Sequence, residues 1–197
     1  ETLSSATDEC YRHSSISERA IRSFRNLDET KFAVLTNNSF ESTLLTIGVG
    51  NDVYAEKSFR EAQPNTKFFA ADPISQINKK LYSNLGQFFA VAVGNETKKS
   101  SASVLKNGYY RSESILHLDF YVLIKYLMKV DRIDHLWLDG EGAEYGMFPM
   151  FSRNGMFEIE KIVICQVNME VHNPDEHQKQ QFRDFMNMLI NEKRYIL

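Results

Sequence analysis

Apolar and polar positions along this chain fall into two alternating textures. Short runs of β-branched and aromatic residues are each followed by a longer stretch whose apolar positions recur at helical spacing. The first texture predicts buried strands and the second amphipathic helices. Residues 1–13 are polar and irregular, and Ser14–Leu27 has helical spacing, with Ile16, Ala20, Ile21 and Phe24 near one face. From Thr43 the alternation becomes regular. Strands are predicted at Thr43–Val49, Lys67–Ala71, Gln87–Val93, Asp134–Leu138 and Glu160–Val171, with a short one at Ser114–Leu118. Helices are predicted at Val53–Ala62, Ile74–Leu85, Asp119–Val130, from Gly142 to about Phe151, and at Pro174–Glu192. Asn95–Ser112, rich in Ser, Lys, Asn and Gly, reads as a loop or flap, and Tyr195–Leu197 as the start of a further strand.

Strands that are apolar on both faces and separated by helices predict an α/β fold: a doubly wound, mostly parallel sheet covered by helices. The crossovers are expected to be right-handed. We read one globular domain over residues 43–197, preceded by a helical extension over 1–42, with no internal repeat.

Composition narrows the picture only a little. The 197 residues suffice for one substantial core, and 43% apolar with 25% charged residues is ordinary for a globular protein. A net charge of -3 gives no reason to expect a nucleic-acid partner, and no apolar run is long enough to span a bilayer. Two cysteines, Cys10 and Cys165, do not make a disulfide framework, and Cys165, in an apolar run, is expected to be a buried free thiol. The sequons at Asn37 and Asn95 matter only in the secretory pathway, and no signal peptide is seen, so cytoplasm and secretory lumen both stay open. A first residue of Glu1 rather than Met reads as a piece of something longer.

In an open α/β sheet, ligands bind beyond the carboxyl ends of the strands, so those residues carry the chemistry. The first strand ends Thr46-Ile47-Gly48-Val49-Gly50-Asn51-Asp52. Glycines there let the backbone turn tightly and approach a ligand. The second strand ends at Asp72, near the spacing of about 20 residues at which an acid meets a ribose hydroxyl. Together these residues suggest an adenosine-containing cofactor. A dinucleotide is disfavoured, because the third glycine of its fingerprint would fall at Val53.

The later strands add acids and a histidine. Asp139 ends the strand before Gly140-Glu141-Gly142-Ala143-Glu144 and either faces the site or caps the next helix. Glu141 and Glu144 are expected to share a face of that helix's first turn, where acids also complement the dipole. Period-two alternation puts Gln166, Asn168, Glu170 and His172 on one side of the last strand, which is either a working face or an exposed edge.

The segments LLTIGVG, FFAADPI, FFAVAVG, LWLDGEGAEY and CQVNMEVH, in this order, resemble the FkbM-type methyltransferase family, and within it a divergent, nematode-like branch. The resemblance covers roughly Thr43 to Asn173. Its strongest element is Asp139-Gly140-Glu141-Gly142-Ala143-Glu144, similar to the family's Asp-x-Glu-Gly-Ala-Glu; Glu170-Val171-His172 is similar to its Glu-x-His. The resemblance implies a class I, Rossmann-like methyltransferase fold and S-adenosylmethionine as cofactor. It also implies a small-molecule or glycan hydroxyl as acceptor. Gly48 and Gly50 would pass under the cofactor's methionine part, Asp72 would bind its ribose, and Ala92, Val93 and Gly94 would line the adenine. Asp139 would stand near the sulfonium, with His172 as general base and Glu170 orienting it. Asp139, Glu170 and His172 can also be grouped around a divalent ion, but they form no closely spaced ligand motif, so no metal site is assigned.

Three positions depart from the family's pattern. Thr46 stands where the family has an acid, Asp52 where its glycine motif ends, and Trp137 where a lysine is common. Asp52 then becomes a candidate to supply the carboxylate that Thr46 cannot. The same departures suit a second reading, a methyltransferase-like module that binds or supports without catalysing. A nicotinamide oxidoreductase is the third reading, weakened by Val53. The family's fold ends in a hairpin beside the fifth strand, and this chain stops near Tyr195, where that hairpin should begin. The fifth strand's edge is therefore expected to be left open, or to be covered by the N-terminal segment or another chain.

Overall fold

The computed structural model describes residues 21–35, 40–106, 109–172 and 174–197. It begins with an antiparallel hairpin, β1 (Ile21–Arg25) and β2 (Thr30–Val34). There follow β3 (Ser42–Ile47), α1 (Tyr54–Ala62), β4 (Thr66–Ala71), α2 (Ser75–Tyr82), β5 (Gln87–Phe89) and β6 (Ala92–Gly94). A long antiparallel hairpin, β7 (Lys98–Lys106) and β8 (Tyr109–Asp119), leads into α3 (Phe120–Val122), which widens into a π-helix over Leu123–Met128. Then come β9 (Arg132–Ile133), β10 (His135–Leu138), α4 (Glu144–Met147) with a 3₁₀ turn at Phe148–Phe151, α5 (Met156–Ile159), β11 (Val163–Ile164), β12 (Val167–Met169) and α6 (Glu176–Glu192).

The centre is a five-stranded sheet in the order β12-β10-β3-β4-β5, with every neighbouring pair parallel. This is the Rossmann-like, doubly wound architecture that the alternation predicts. The central strand β3 is buried along its whole length, and so is β10. Successive side chains serve opposite layers. Leu44 and Trp137 pack with Phe24, Phe59, Phe68 and Tyr82 on one face, while Leu45, Ile47, Leu136 and Leu138 pack with Phe120, Leu123, Ile124 and Met147 on the other. Phe59 stands edge-on to Trp137 and to His135, which burial keeps neutral by lowering its pKa to about 4. No helix among the described residues is long and apolar enough to cross a membrane.

Several segments differ from the sequence expectation. The part of Ser14–Leu27 that is described, Ile21 onward, is a strand and not a helix. Phe24 is satisfied by docking on Phe59 across 5.0 Å, a contact that a strand of the same residues makes equally well. Residues 14–20, Cys10 and the Asn37 sequon lie outside the described residues. The predicted flap at Asn95–Ser112 is mostly hairpin: its polar composition reads as loop, but the β7–β8 ladder carries it. Gln87–Val93 splits into β5, which joins the central sheet, and β6, which pairs with β8. Glu160–Val171 breaks into two short strands, β11 beside β9 and β12 beside β10. Cys165 falls in that break, which leaves its thiol exposed rather than buried. Tyr195–Leu197 forms no strand.

The hairpin β1–β2 lies against β12 through side chains. Gln166 accepts from the Val34 N–H at 2.7 Å and donates to the Val34 carbonyl at 2.7 Å, while Asn168 accepts from the Phe32 N–H at 2.9 Å. The N-terminal segment therefore covers this side of the sheet. Replacing Gln166 by Leu keeps the volume but strands a donor and an acceptor of Val34. We expect Gln166→Leu to lower unfolding free energy by about 1–3 kcal/mol in urea titrations. A midpoint and slope equal to wild type would show that this side chain does not hold the hairpin.

Candidate functional site

The chain leaves β3 toward β4 on one side, while β10 lies on the other, so the strand order reverses between β3 and β10. The carboxyl ends of these two strands bound the crevice in which ligands of such sheets bind. Gly48 leaves β3 with φ +82°, and a Cβ there would overlap the carbonyl oxygen of Asp139. Only glycine lets the two strand ends close to this distance. The ladder continues past the strands: Gly48 N–H donates to Ala71, Asp139 N–H to Ile47 and Glu170 N–H to Leu138. Residues far apart in sequence are thereby fixed side by side.

The glycine turn is held from below. Asp72 accepts from Val49 N–H at 2.8 Å, from Gly50 N–H at 3.4 Å and from Ile74 N–H at 2.6 Å. Burial pushes its pKa up, against those donors. Asp52 accepts from Leu27 N–H at 2.7 Å and from Tyr54 N–H at 2.9 Å, tying the β1–β2 turn to the start of α1. A side chain at Gly50 would meet nothing within 4 Å, so there is open space above the turn. Ala92 is half-buried and the Val93 side chain points into the core at 2% exposure, so Val93 presents backbone rather than side chain.

Asp139 and the last strand meet across β10 and β12, where Leu138 pairs with Met169. His172 Nε2 lies 3.2 Å from Glu170 Oε1 and 3.5 Å from Asp139 Oδ1, and its Nδ1 lies 3.5 Å from Glu144 Oε1. The N-cap of α4 is Ala143, so Asp139 is not its cap, and Asp139 Oδ1 is buried without a hydrogen bond. Burial raises its pKa to about 7, although the positive charges of His172 and Lys31 oppose this. The Glu144 carboxylate, helped by Asp139 and Glu141, lifts His172 to about 9 despite partial burial.

The segment after Asp139 is shaped by Glu144 folding back on it. Glu144 is fully buried and accepts from Gly140 N–H and, at 2.9 Å, from Gly142 N–H. Glu141 and Gly142 take left-handed conformations, with φ 51° and 101°. Glu141 therefore lies in a turn before the helix, and does not share its first turn with Glu144 as expected. The Tyr145 hydroxyl donates to the His172 carbonyl at 2.8 Å and anchors the segment that carries the imidazole. Of the polar row on the last strand, Gln166 and Asn168 serve the hairpin, and Glu170 and His172 reach Asp139.

A second polar group lies behind β3, and the sequence reading did not find it. Thr46 Oγ1 donates to Glu56 Oε1 at 2.9 Å, and Glu56 Oε2 has no partner. Lys31, at 1% exposure, pairs with Glu29 at 2.5 Å, and its charge acts on both Glu56 and Asp139. Thr46 stands where the resembled family has an acid, and a buried carboxyl from α1 reaches its hydroxyl. The available signal was helical spacing: Glu56 lies on the face of α1 that carries the buried Phe59 and Gln63.

Compared with known families, residues 10–197 match the methyltransferase FkbM domain. No curated protein and no solved structure matches the chain.

Burial lifts Glu56 from an ordinary 4.5 to about 7, against its own hydrogen bonds and the charge of Lys31. A carboxyl whose folded pKa is raised favours the folded state at low pH. That contribution is whole below about pH 4.5 and is lost as pH rises through about 7. Glu56→Gln keeps an acceptor for Thr46 and removes the titration. We expect the variant to match wild type near pH 4 and to exceed it at pH 8 by on the order of 3 kcal/mol, read from melting temperature against pH. Parallel pH profiles for the two proteins would contradict a buried, titrating Glu56.

Proposed function

The chain belongs to the FkbM methyltransferase family, and from that premise we propose that it transfers a methyl group from S-adenosylmethionine to a hydroxyl of a sugar or other small acceptor. The observation that carries the reading is Asp139 Oδ1, a buried carboxylate oxygen that makes no hydrogen bond and has His172 Nε2 3.5 Å away, at the reversal of strand order, beside the glycine turn. A carboxylate oxygen that is buried without a hydrogen bond favours the approach of a further donor or cation.

The residues present fit the cofactor. The turn at Gly48 and Gly50 has open space over it and closes directly on Asp139. Asp72 lies buried under the same turn, and its three backbone donors set the turn over which a ribose would lie. Asp52 sets the turn from the hairpin side, and Ala92 and Val93 lie in β6, just past the end of β5 and outside the central sheet, as candidates to line the adenine. When bound, S-adenosylmethionine supplies an activated methyl group on a positively charged sulfur.

What is left to the chain is placement and one proton. Asp139 holds the cationic end. Glu170, at 48% exposure, faces incoming acceptor and steadies both its hydroxyl and His172. In the resting site the surrounding carboxylates keep His172 protonated at neutral pH. A His172 that has given its Nε2 proton to solvent would take the hydroxyl proton as the acceptor oxygen is methylated. Glu144 and Tyr145 fix the imidazole from behind. Thr46, braced by Glu56, supplies the first strand with a hydroxyl in place of an acid.

Isothermal titration with S-adenosylmethionine and S-adenosylhomocysteine tests the cofactor. We expect saturable binding that Asp139→Asn weakens at least about tenfold. With a library of hydroxyl acceptors, we expect His172→Ala to cut S-adenosylhomocysteine release by about 100-fold or more while the melting curve stays cooperative. Wild-type rates in both variants would refute the assigned roles. No heat and no thermal shift at millimolar ligand would leave a methyltransferase fold used as a non-catalytic module.

A further inference from the structure

We infer that Asp139, Glu170 and His172 form a binding site for one divalent cation of the Mn²⁺ kind, held by two carboxylate oxygens and one imidazole nitrogen. One ligand atom from each of the three residues lies within 4.8 Å of the others. The separation of 3.2 Å from His172 Nε2 to Glu170 suits a shared ion, and that of 3.5 Å to Asp139 needs only a slight closing of the pair. Atoms each about 2.1 Å from one ion stand about 3.0–3.4 Å apart at octahedral to tetrahedral angles. Two carboxylates with one imidazole and open positions favour Mn²⁺-like ions over a thiolate-preferring one.

The orientation of His172 is the second observation. Its Nδ1 faces the buried Glu144 carboxylate at 3.5 Å, which draws the ring proton to that nitrogen. Nε2 faces Asp139 and Glu170, and once it gives up its proton three electron-rich atoms converge on one point. Such a convergence is repulsive unless a positive charge sits in it. Glu144 is itself fixed by the N–H groups of Gly140 and Gly142, and Tyr145 fixes the His172 backbone. A ligating histidine whose far nitrogen is held by a carboxylate is a recurrent way of setting a metal ligand. The ligands come from adjacent parallel strands, β10 and β12, which is why no short sequence motif announces them.

The ion site stands on this geometry; its role rests on the methyl-transfer reading. There an ion commits the Nε2 lone pair, lowers the pKa of a hydroxyl brought to its open positions, and lets that proton leave to solvent. In the ion-loaded protein His172 is then a ligand and solvent replaces it as the base, so it carries a proton only in the ion-free protein.

Manganese titration of the full chain, followed by loss of the free-ion paramagnetic resonance signal, tests the site without any methyl transfer. We expect one Mn²⁺ per chain, reversed by EDTA. We expect His172→Ala and Glu170→Gln each to weaken it at least about tenfold, with circular dichroism unchanged. If His172→Ala does not fold, Glu170→Gln decides alone. No binding up to millimolar Mn²⁺ overturns the proposal and leaves a proton as the site's only cation. Wild-type affinity in the folded variants overturns it as well, because the ion then sits elsewhere. S-adenosylmethionine titration of EDTA-treated protein runs beside it. Mn²⁺ binding without cofactor binding refutes the methyltransferase reading alone, and the converse refutes the ion site alone.

Discussion

The close approach of Gly48 to Asp139 is the constraint on which the rest of this structure depends. Two strands that neighbour each other in space but lie far apart in sequence finish at the same level, and their exits nearly touch. Everything chemical in the site is measured from that contact. It sets Asp139 above the glycine turn, and through β12 it sets Glu170 and His172 beside Asp139. A larger residue at Gly48 would push β10 away and shift all three side chains together. The cost of keeping glycine in a strand exit is modest beside that loss.

A second economy follows from how buried acids are used. Asp52, Asp72 and Glu144 each accept backbone N–H groups and hold turns in place. Asp139 and Glu56 differ, because each keeps a buried oxygen without a hydrogen bond. Both are pushed toward neutral pKa values by burial. The first group explains the shape of the loops. The second marks where the protein holds electrostatic potential in reserve, one pool open to ligand and one sealed behind β3 and balanced by Lys31.

The sequence made the central sheet legible because buried parallel strands are short, apolar and punctuated by glycine and aspartate. Gly48, Asp72 and Asp139 could therefore be located as strand ends before any geometry was known. Segments whose composition fits two structures were not legible. Ile21 and Phe24 satisfy a helical face and a strand equally, and the serine- and lysine-rich stretch from Lys98 looks like loop until its pairing with β8 is seen. The fold-back of Glu144 was hidden for a different reason. It needs left-handed backbone at Glu141, which no residue preference announces for glutamate. The role of Gln166 and Asn168 is also out of reach of the sequence, since their partners are backbone groups of β2, in a hairpin whose first strand has helical spacing.

That side-chain seat of the hairpin has a consequence for motion. The Phe32 and Val34 amide protons are not bonded into a strand ladder on that side; they are held by amide side chains of β12. Their exchange with solvent therefore reports the hairpin lifting off the sheet, separately from the unfolding of the sheet itself. Because Asp52 also holds Leu27 N–H at the hairpin's turn, lifting would loosen the start of α1 and, with it, the brace behind Thr46. Slow or fast exchange at two backbone positions thus becomes a gauge of how firmly the floor of the site is set.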